Sequence, residues 1–327
     1  MRFRRFFHSL LLIIAAASCA QNDLHKINGN GLGTYYQITY IGKDAPDLKP
    51  QIDSLLQYYS QQFSIFDTTS IVHHLNINKT NEVPDEFINL IEKSLEISLK
   101  TGGAFDITIA PLVSYWGFAQ EEFTSIDSAH IDSLRSFIGY QNIIVSNNVL
   151  LKTDDRIKLN FNAIAKGYIV DRVTDFLLAQ GFNNFIVDIG GEMFCMGDKN
   201  GKPWQVGIQR PTSDRNGNFD SAHILPLTSK AIATSGNYRN YKELNGERYT
   251  HIINPKTGFP ERSSLLSVSV IANDCATADA LATAFMVMGL EESTRFLEAN
   301  PEYEALFISI EEEGFKISGF GSSFPSL

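Results

Sequence analysis

The stretch Leu159–Asn160–Phe161–Asn162–Ala163–Ile164–Ala165–Lys166–Gly167–Tyr168 constrains the fold of this chain more than any other. Ile157, Leu159 and Phe161 alternate with polar neighbours, the two-residue period of a half-buried strand. From Ala163 onward Ile164, Ile169, Val170, Val173, Leu177 and Leu178 follow helical spacing, and Gly181 supplies a stop. The pattern predicts a strand handing over directly to a helix. Such a junction leaves backbone N–H groups without intrahelical partners, and helix N-termini attract anions. Lys166 falls in the first turn, where it is either a phosphate partner or a lysine reaching out from an ordinary amphipathic helix.

The chain has 327 residues, 43% hydrophobic and 20% charged, ordinary for a globular protein with a sizeable core. One large domain or two closely packed ones would fit. Its formal charge is −10; residues 1–18 hold Arg2, Arg4 and Arg5 and no acid, so the remainder carries −13. So acidic a body disfavours non-specific binding to nucleic acid or anionic lipid, and an anionic ligand must be drawn in by local groups. Arg2, Arg4 and Arg5 form a basic n-region, and Leu10–Ala17 an apolar segment far too short to span a bilayer. Ala16, Ala17 and Ser18 then precede Cys19, which resembles a bacterial lipoprotein signal with Ala16 in the place usually held by leucine. The expectation is a signal peptide over 1–18, a lipidated Cys19, and a mature chain 19–327 anchored in the cell envelope at the inner membrane, facing the periplasm. Plain secretion is the alternative. Only Cys195 and Cys275 remain and no CxxC occurs, so both read as buried structural cysteines.

Neither a repeat nor a low-complexity segment breaks the chain. Thr34–Ile41 reads as a strand, followed by a helix whose Leu48, Ile52, Leu55, Leu56, Tyr59 and Phe63 mark one face. A second helix runs from Pro84 to Lys100 and closes at Gly102–Gly103. Phe185–Ile189, Val206–Ile208, Ala231–Ala233 and Leu266–Ile271 read as strands, and Arg210–Asp220 as a surface loop. The irregular alternation, with several hairpin-like strand pairs, predicts a mixed α+β fold and not a doubly wound parallel sheet. Gly29–Asn30–Gly31–Leu32–Gly33 has the wrong spacing for a dinucleotide fingerprint and precedes a strand, so that reading is rejected. Gly190–Gly191, after the strand Phe185–Ile189, is either a tight turn or a place where a ligand approaches the backbone.

The segment Asn273–Phe285 reads as a helix capped by Asn273 or Asp274, with Asp279 and Thr283 four apart on one face among alanines. A carboxylate and a hydroxyl converging with no lysine or arginine nearby suit a hard cation such as Mg²⁺, which fills its other positions with water and substrate phosphates. The plainer alternative is an Asp–Thr hydrogen bond on a solvated face. Ala233–Arg239 is dense in hydroxyls. In Tyr249–Pro260 a single histidine, His251, sits at the edge of a β-rich stretch before a turn built on Pro255 and Gly258. Such a histidine is either structural or catalytic.

Together these segments resemble the ApbE family, the FAD:protein FMN transferases. The matching motifs are Gly33–Thr34; Gly103–Ala104–Phe105–Asp106–Ile107–Thr108 with Pro111–Leu112–Val113 and Trp116–Gly117–Phe118; Asn160–Gly167; Val187–Glu192; Ala233–Tyr238; His251–Pro260; and Ala278–Thr283. They cover nearly all of the mature chain in order. The resemblance implies an ApbE-like (T-fold-like) architecture of mixed sheets with packed helices. It also implies transfer of FMN from FAD, with Mg²⁺, to a threonine or serine hydroxyl of an acceptor protein, releasing AMP. Carried over by motif, Asp279 and Thr283 hold the metal with the backbone carbonyl of Ala163. Lys166, Ala104, Phe105, Asp106, Leu32, Phe66, Asn160, His251 and Ile253 contact FAD. Asn160 stands where the family commonly has aspartate, and Leu32 and Phe66 replace a usual methionine and tyrosine.

The chemistry agrees with these residue types. Pyrophosphate cleavage calls for neutralised charge, work suited to magnesium and a lysine. The acceptor hydroxyl is a weak nucleophile that gains from a base, either His251 or Asp106, and histidine is preferred because it can be neutral near pH 7. One alternative, an FAD pyrophosphatase giving FMN and AMP, would use the same residues; another, a non-enzymatic FAD-binding lipoprotein, is disfavoured by Asp279, Thr283 and Lys166, since storage needs no metal on the pyrophosphate. By analogy the acceptor is a subunit of a membrane redox complex or a secreted flavoprotein.

Overall fold

The computed structural model describes residues 23–324 apart from 44–45, 120–122, 124, 212–220, 239–240, 245 and 313. The signal segment, Cys19, Arg239 and most of the 210–220 loop lie outside the described residues. The strands are β1 (Asp23–Gly31), β2 (Thr34–Gly42), β3 (Ile143–Ser146), β4 (Val149–Lys152), β5 (Phe185–Ile189), β6 (Glu192–Met196), β7 (Trp204–Gln209), β8 (Ser221–Leu227), β9 (Lys230–Gly236), β10 (Tyr241–Leu244), β11 (Glu247–Thr250), β12 (Leu265–Ala272), β13 (Glu304–Glu311) and β14 (Gly314–Phe320). The helices are α1 (Lys49–Phe63), α2 (Ile71–Asn76), α3 (Asp85–Lys100), α4 (Ala110–Tyr115), α5 (Ser128–Arg135), α6 (Ala165–Ala179) and α7 (Cys275–Ala299).

Eight strands form one sheet in the order β1-β2-β5-β6-β9-β12-β13-β14, and each neighbouring pair in it is antiparallel. The α+β expectation holds. Alternate residues of the central strands face opposite layers, as the pleat requires. Ala231, Ala233, Val268, Val270 and Phe307 join the main core with α6 and α7, whereas Ile232, Ile271, Leu306 and Ile308 pack beneath the β7–β8 hairpin. Covered on both faces, β12 is buried almost throughout, its two serines included. A third, smaller cluster gathers Leu112, Trp116, Ile131, Tyr249 and Ile253, and the Trp116 indole N–H donates to the Gly258 carbonyl at 2.8 Å.

The junction departs from its sequence pattern. Ile157, Leu159 and Phe161 are fully buried, as their alternation requires, but this segment joins no sheet ladder. It makes one parallel bridge, Lys158 with Ile109, and the amide of Asn76 takes the part of a neighbouring strand. That amide accepts from Leu159 N–H at 2.6 Å and donates to the Leu159 carbonyl at 2.9 Å. Helix α6 starts at Ala165, two residues later than its apolar spacing predicts. Asn160 Oδ1 accepts from Asn162 N–H at 2.8 Å, and that local turn holds the backbone out of the helix. The Gly29–Gly33 segment closes the β1–β2 hairpin with Leu32 (φ 56°) and Gly33 (φ 74°), a two-residue turn whose left-handed backbone matches strand twist. Gly190–Gly191 is likewise the tight turn between β5 and β6.

Candidate active site

A cavity of about 300 Å³ opens where α6, α7 and the ends of β6 and β9 meet the 104–106 and 251–255 segments. Lys166, Glu192, Ser235, Asp279 and Thr283 line one part of it; Ile109, Val113, Phe118 and Val287 supply apolar surface.

The polar part is built by close packing of α6 on α7. A Cβ on Gly167 would sit 2.3 Å from the Cys275 carbonyl oxygen and 2.8 Å from the Asp279 Cβ, so only glycine allows this approach. Gly167 N–H donates to Asp279 Oδ2 at 3.0 Å. One turn further along α6, Asp171 accepts from the N–H groups of Cys275 and Ala276 at 2.7 and 2.9 Å, capping α7 from a neighbouring helix. Asp274, the N-cap itself, accepts from Thr277 N–H.

This packing corrects the expectation that no lysine or arginine lies near Asp279. The Lys166 ammonium is 3.9 Å from Asp279 Oδ2 and donates to Glu192 Oε1 at 2.6 Å. Burial alone would lower the lysine pKa, but the charges of Asp279 and Glu192 outweigh it and hold the group above the ordinary lysine range. Burial pushes the Glu192 carboxyl up, against the lowering pull of Lys166. Thr283 Oγ1 donates to Ser235 Oγ at 3.5 Å.

Asp106 is buried with its carboxylate held on every side. Oδ1 accepts from the Thr108 N–H and hydroxyl at 2.8 and 2.6 Å, and Oδ2 from Tyr140 N–H at 2.7 Å. Burial raises its pKa against those three donors. His251 is half-buried with its ring edge-on to Phe118, centroids 6.2 Å apart.

A family model described as the ApbE family matches residues 32–307. The chain belongs to the ApbE family. A Vibrio cholerae protein named FAD:protein FMN transferase is 34% identical, covering 97% of this chain and 96% of its own length. One of the same name from Escherichia coli K12 is 32% identical over 83% of this chain and 80% of its own. The solved flavin transferase ApbE from Vibrio cholerae superposes with a TM-score of 0.82 at 33% identity, covering 94% of this chain and all of that one. The apo flavinyl transferase ApbE of Pseudomonas stutzeri gives 0.82 at 31% identity, covering 91% and 95%.

In this ApbE-family chain the cavity brings together Ala104, Phe105, Asp106, Asn160, Ala163, Lys166, His251, Ile253, Asp279 and Thr283. Leu32 and Phe66 are not in its walls. Phe66 is 60% exposed, and Leu32 occupies the β1–β2 turn beside the β5–β6 turn, where Gly190 N–H donates to the Tyr35 carbonyl. Glu192 closes the Val187–Glu192 motif but has no individual role there, although an acid opening a buried strand straight after paired glycines is a signal. Ser235, Val113 and Phe118 fall inside the matching motifs without an individual role, whereas Ile109 and Val287 have the patterns of ordinary core positions.

Proposed function

We propose that this protein transfers FMN from FAD to a threonine or serine hydroxyl of an acceptor protein, with Mg²⁺, releasing AMP. The observation that carries the reading is the convergence of Lys166, Asp279 and Thr283 at one part of a cavity that also presents the apolar surface of Ile109, Val113 and Phe118, in a chain whose relatives are named FAD:protein FMN transferase. The diphosphate belongs at the polar groups, and a flat ring system suits the surface of Ile109, Val113 and Phe118. In the reaction the acceptor oxygen bonds to the FMN-side phosphorus. The bond from that phosphorus to the bridging oxygen breaks, and AMP leaves with that oxygen. His251 takes the hydroxyl proton. Asp106, with both oxygens already accepting from Thr108 and Tyr140, fixes the 104–106 segment against the nucleotide.

Among the described residues no three His, Cys, Asp or Glu side chains form a complete metal cage. The donors that do meet are all oxygens, and Glu192 Oε2 is buried without a hydrogen-bond partner. An oxygen-only, incomplete set fits a magnesium ion that keeps water and substrate oxygens. Asp279, Thr283 and the Ala163 carbonyl are the residues to hold it, and when bound it supplies positive charge opposite the diphosphate oxygens.

One assay tests the reading: the chain from residue 19, FAD and Mg²⁺, with and without a threonine-bearing acceptor domain. Covalent flavin on the acceptor is expected. Free FMN alone would assign a pyrophosphatase, and unchanged FAD a binding protein. The basic, apolar and cysteine-terminated leader supports lipidation of Cys19 and a place in the bacterial envelope facing the periplasm, with flavoprotein subunits of membrane redox complexes or secreted flavoproteins as acceptors. Absence of palmitate label at Cys19 in a bacterial host would remove the anchor.

A further inference from the structure

Lys166 is not presented to the cavity as an open cation. Its ammonium is committed to Glu192 Oε1 at 2.6 Å and lies 3.9 Å from Asp279 Oδ2. Glu192 is only 4% exposed, and its other oxygen, Oε2, is buried with no partner. The Gly190–Gly191 turn and the pairing of Glu192 with Ile189 fix its backbone, so the carboxylate is carried on a rigid hairpin end. A buried carboxylate oxygen without a donor is costly unless something else satisfies it.

The charges decide what that is. With Glu192 ionised, one ammonium faces two carboxylates, and this part of the cavity then carries an excess negative charge. A diphosphate brings further negative charge into the same partly buried space, where like charges repel far more than in water. Glu192 already takes up one donor and much of the positive charge of Lys166, so the lysine compensates an incoming anion less than a free ammonium would.

We infer that Glu192, by clamping Lys166 and keeping its second, buried oxygen unpaired beside the cavity, makes nucleotide binding conditional on a divalent cation. This rests on the diphosphate of FAD being the ligand. With added positive charge, the free Glu192 oxygen gains a partner and the Lys166 ammonium is released toward the phosphates. Without it, the clamp repels them. Glu192 is thus a positioning residue that couples metal and nucleotide, so that each tightens the other.

The experiment measures FAD binding to the whole chain by calorimetry, in EDTA and in saturating Mg²⁺. In the wild type, magnesium is expected to tighten FAD binding by about tenfold or more, the scale for unit charges close to a partly screened diphosphate. Glu192→Gln keeps one acceptor for Lys166 but removes the charge. It should bind FAD about tenfold more tightly than wild type in EDTA and lose most of the magnesium effect. Glu192→Ala should shift in the same direction, with a thermal melt certifying its fold. Equal affinities in EDTA for wild type and both variants would overturn the inference. So would a wild type indifferent to magnesium, a comparison that needs no variant. No FAD uptake under any condition would instead overturn the proposed function.

Discussion

Replacing Gly167 by alanine puts the geometry of the site under direct strain. The new Cβ would meet the Cys275 carbonyl oxygen at 2.3 Å and its carbon at 2.7 Å, where ordinary contact begins at 3.4 Å. Both are backbone atoms in the first turn of α7, and Asp171 pins that turn to α6 through two hydrogen bonds. The helices must therefore part by roughly an ångström, an overpacking that costs about 1–3 kcal/mol. Alanine returns at most about 1 kcal/mol of helix propensity, so the net effect is destabilising. The consequence for the site is larger. Gly167 N–H now reaches Asp279 Oδ2 at 3.0 Å, and the same displacement breaks that bond and moves Asp279 away from Lys166. Misplacement on this scale costs about a hundredfold in rate. The expected result is a melting temperature lowered by several degrees and FMN transfer to an acceptor reduced about a hundredfold. A variant that melts with the wild type and transfers at its rate would refute the close approach of α6 and α7.

Three further outcomes follow from the same geometry. His251→Ala should retain FAD yet transfer FMN about 10²- to 10⁴-fold more slowly; wild-type transfer in single-turnover assays would take His251 out of the reaction. Asp279→Asn should weaken the apparent magnesium affinity and the activity together, by at least about tenfold, and an unaltered magnesium titration would exclude Asp279 as a ligand. Burial pushes the Asp171 carboxyl up to about 7 from 3.8, against the pull of the two N–H groups it accepts. The folded chain therefore keeps a proton that the unfolded chain has released, so this contribution is full below about pH 4 and is lost as pH rises through 7. Asp171→Asn should flatten that part of the melting-temperature profile, and superimposable profiles would count against the assignment.

Local periodicity reveals much of this architecture because most elements carry a one-sided apolar pattern. The helix face of Leu48 to Phe63 and the strand Phe185–Ile189 stand where their spacing puts them. Segment 157–161 shows the limit. Its alternation is that of a strand, yet the partner is one side chain, Asn76, distant in sequence. β1 escaped notice because glycines and polar residues dilute its alternation at a sheet edge. In the site, Asp279 and Thr283 were visible from their spacing on one helix, since that relation is local. The Lys166–Glu192–Asp279 contact was not, because each residue comes from a different element. It exists only through the fit of Gly167 against α7.

The sheet order has a consequence for how this protein is assembled. The cavity walls span residues 104–287, and Glu192 and Ser235 are carried on β6 and β9, partners in the sheet but separated along the chain. Its lining groups come from segments scattered over that whole span, so no single element of the chain supplies the binding surface. Competence for the nucleotide thus arrives only with the completed tertiary structure, and occupancy stabilises the native molecule as a whole by mass action. A ligand-induced rise in melting temperature is accordingly a gauge of finished folding.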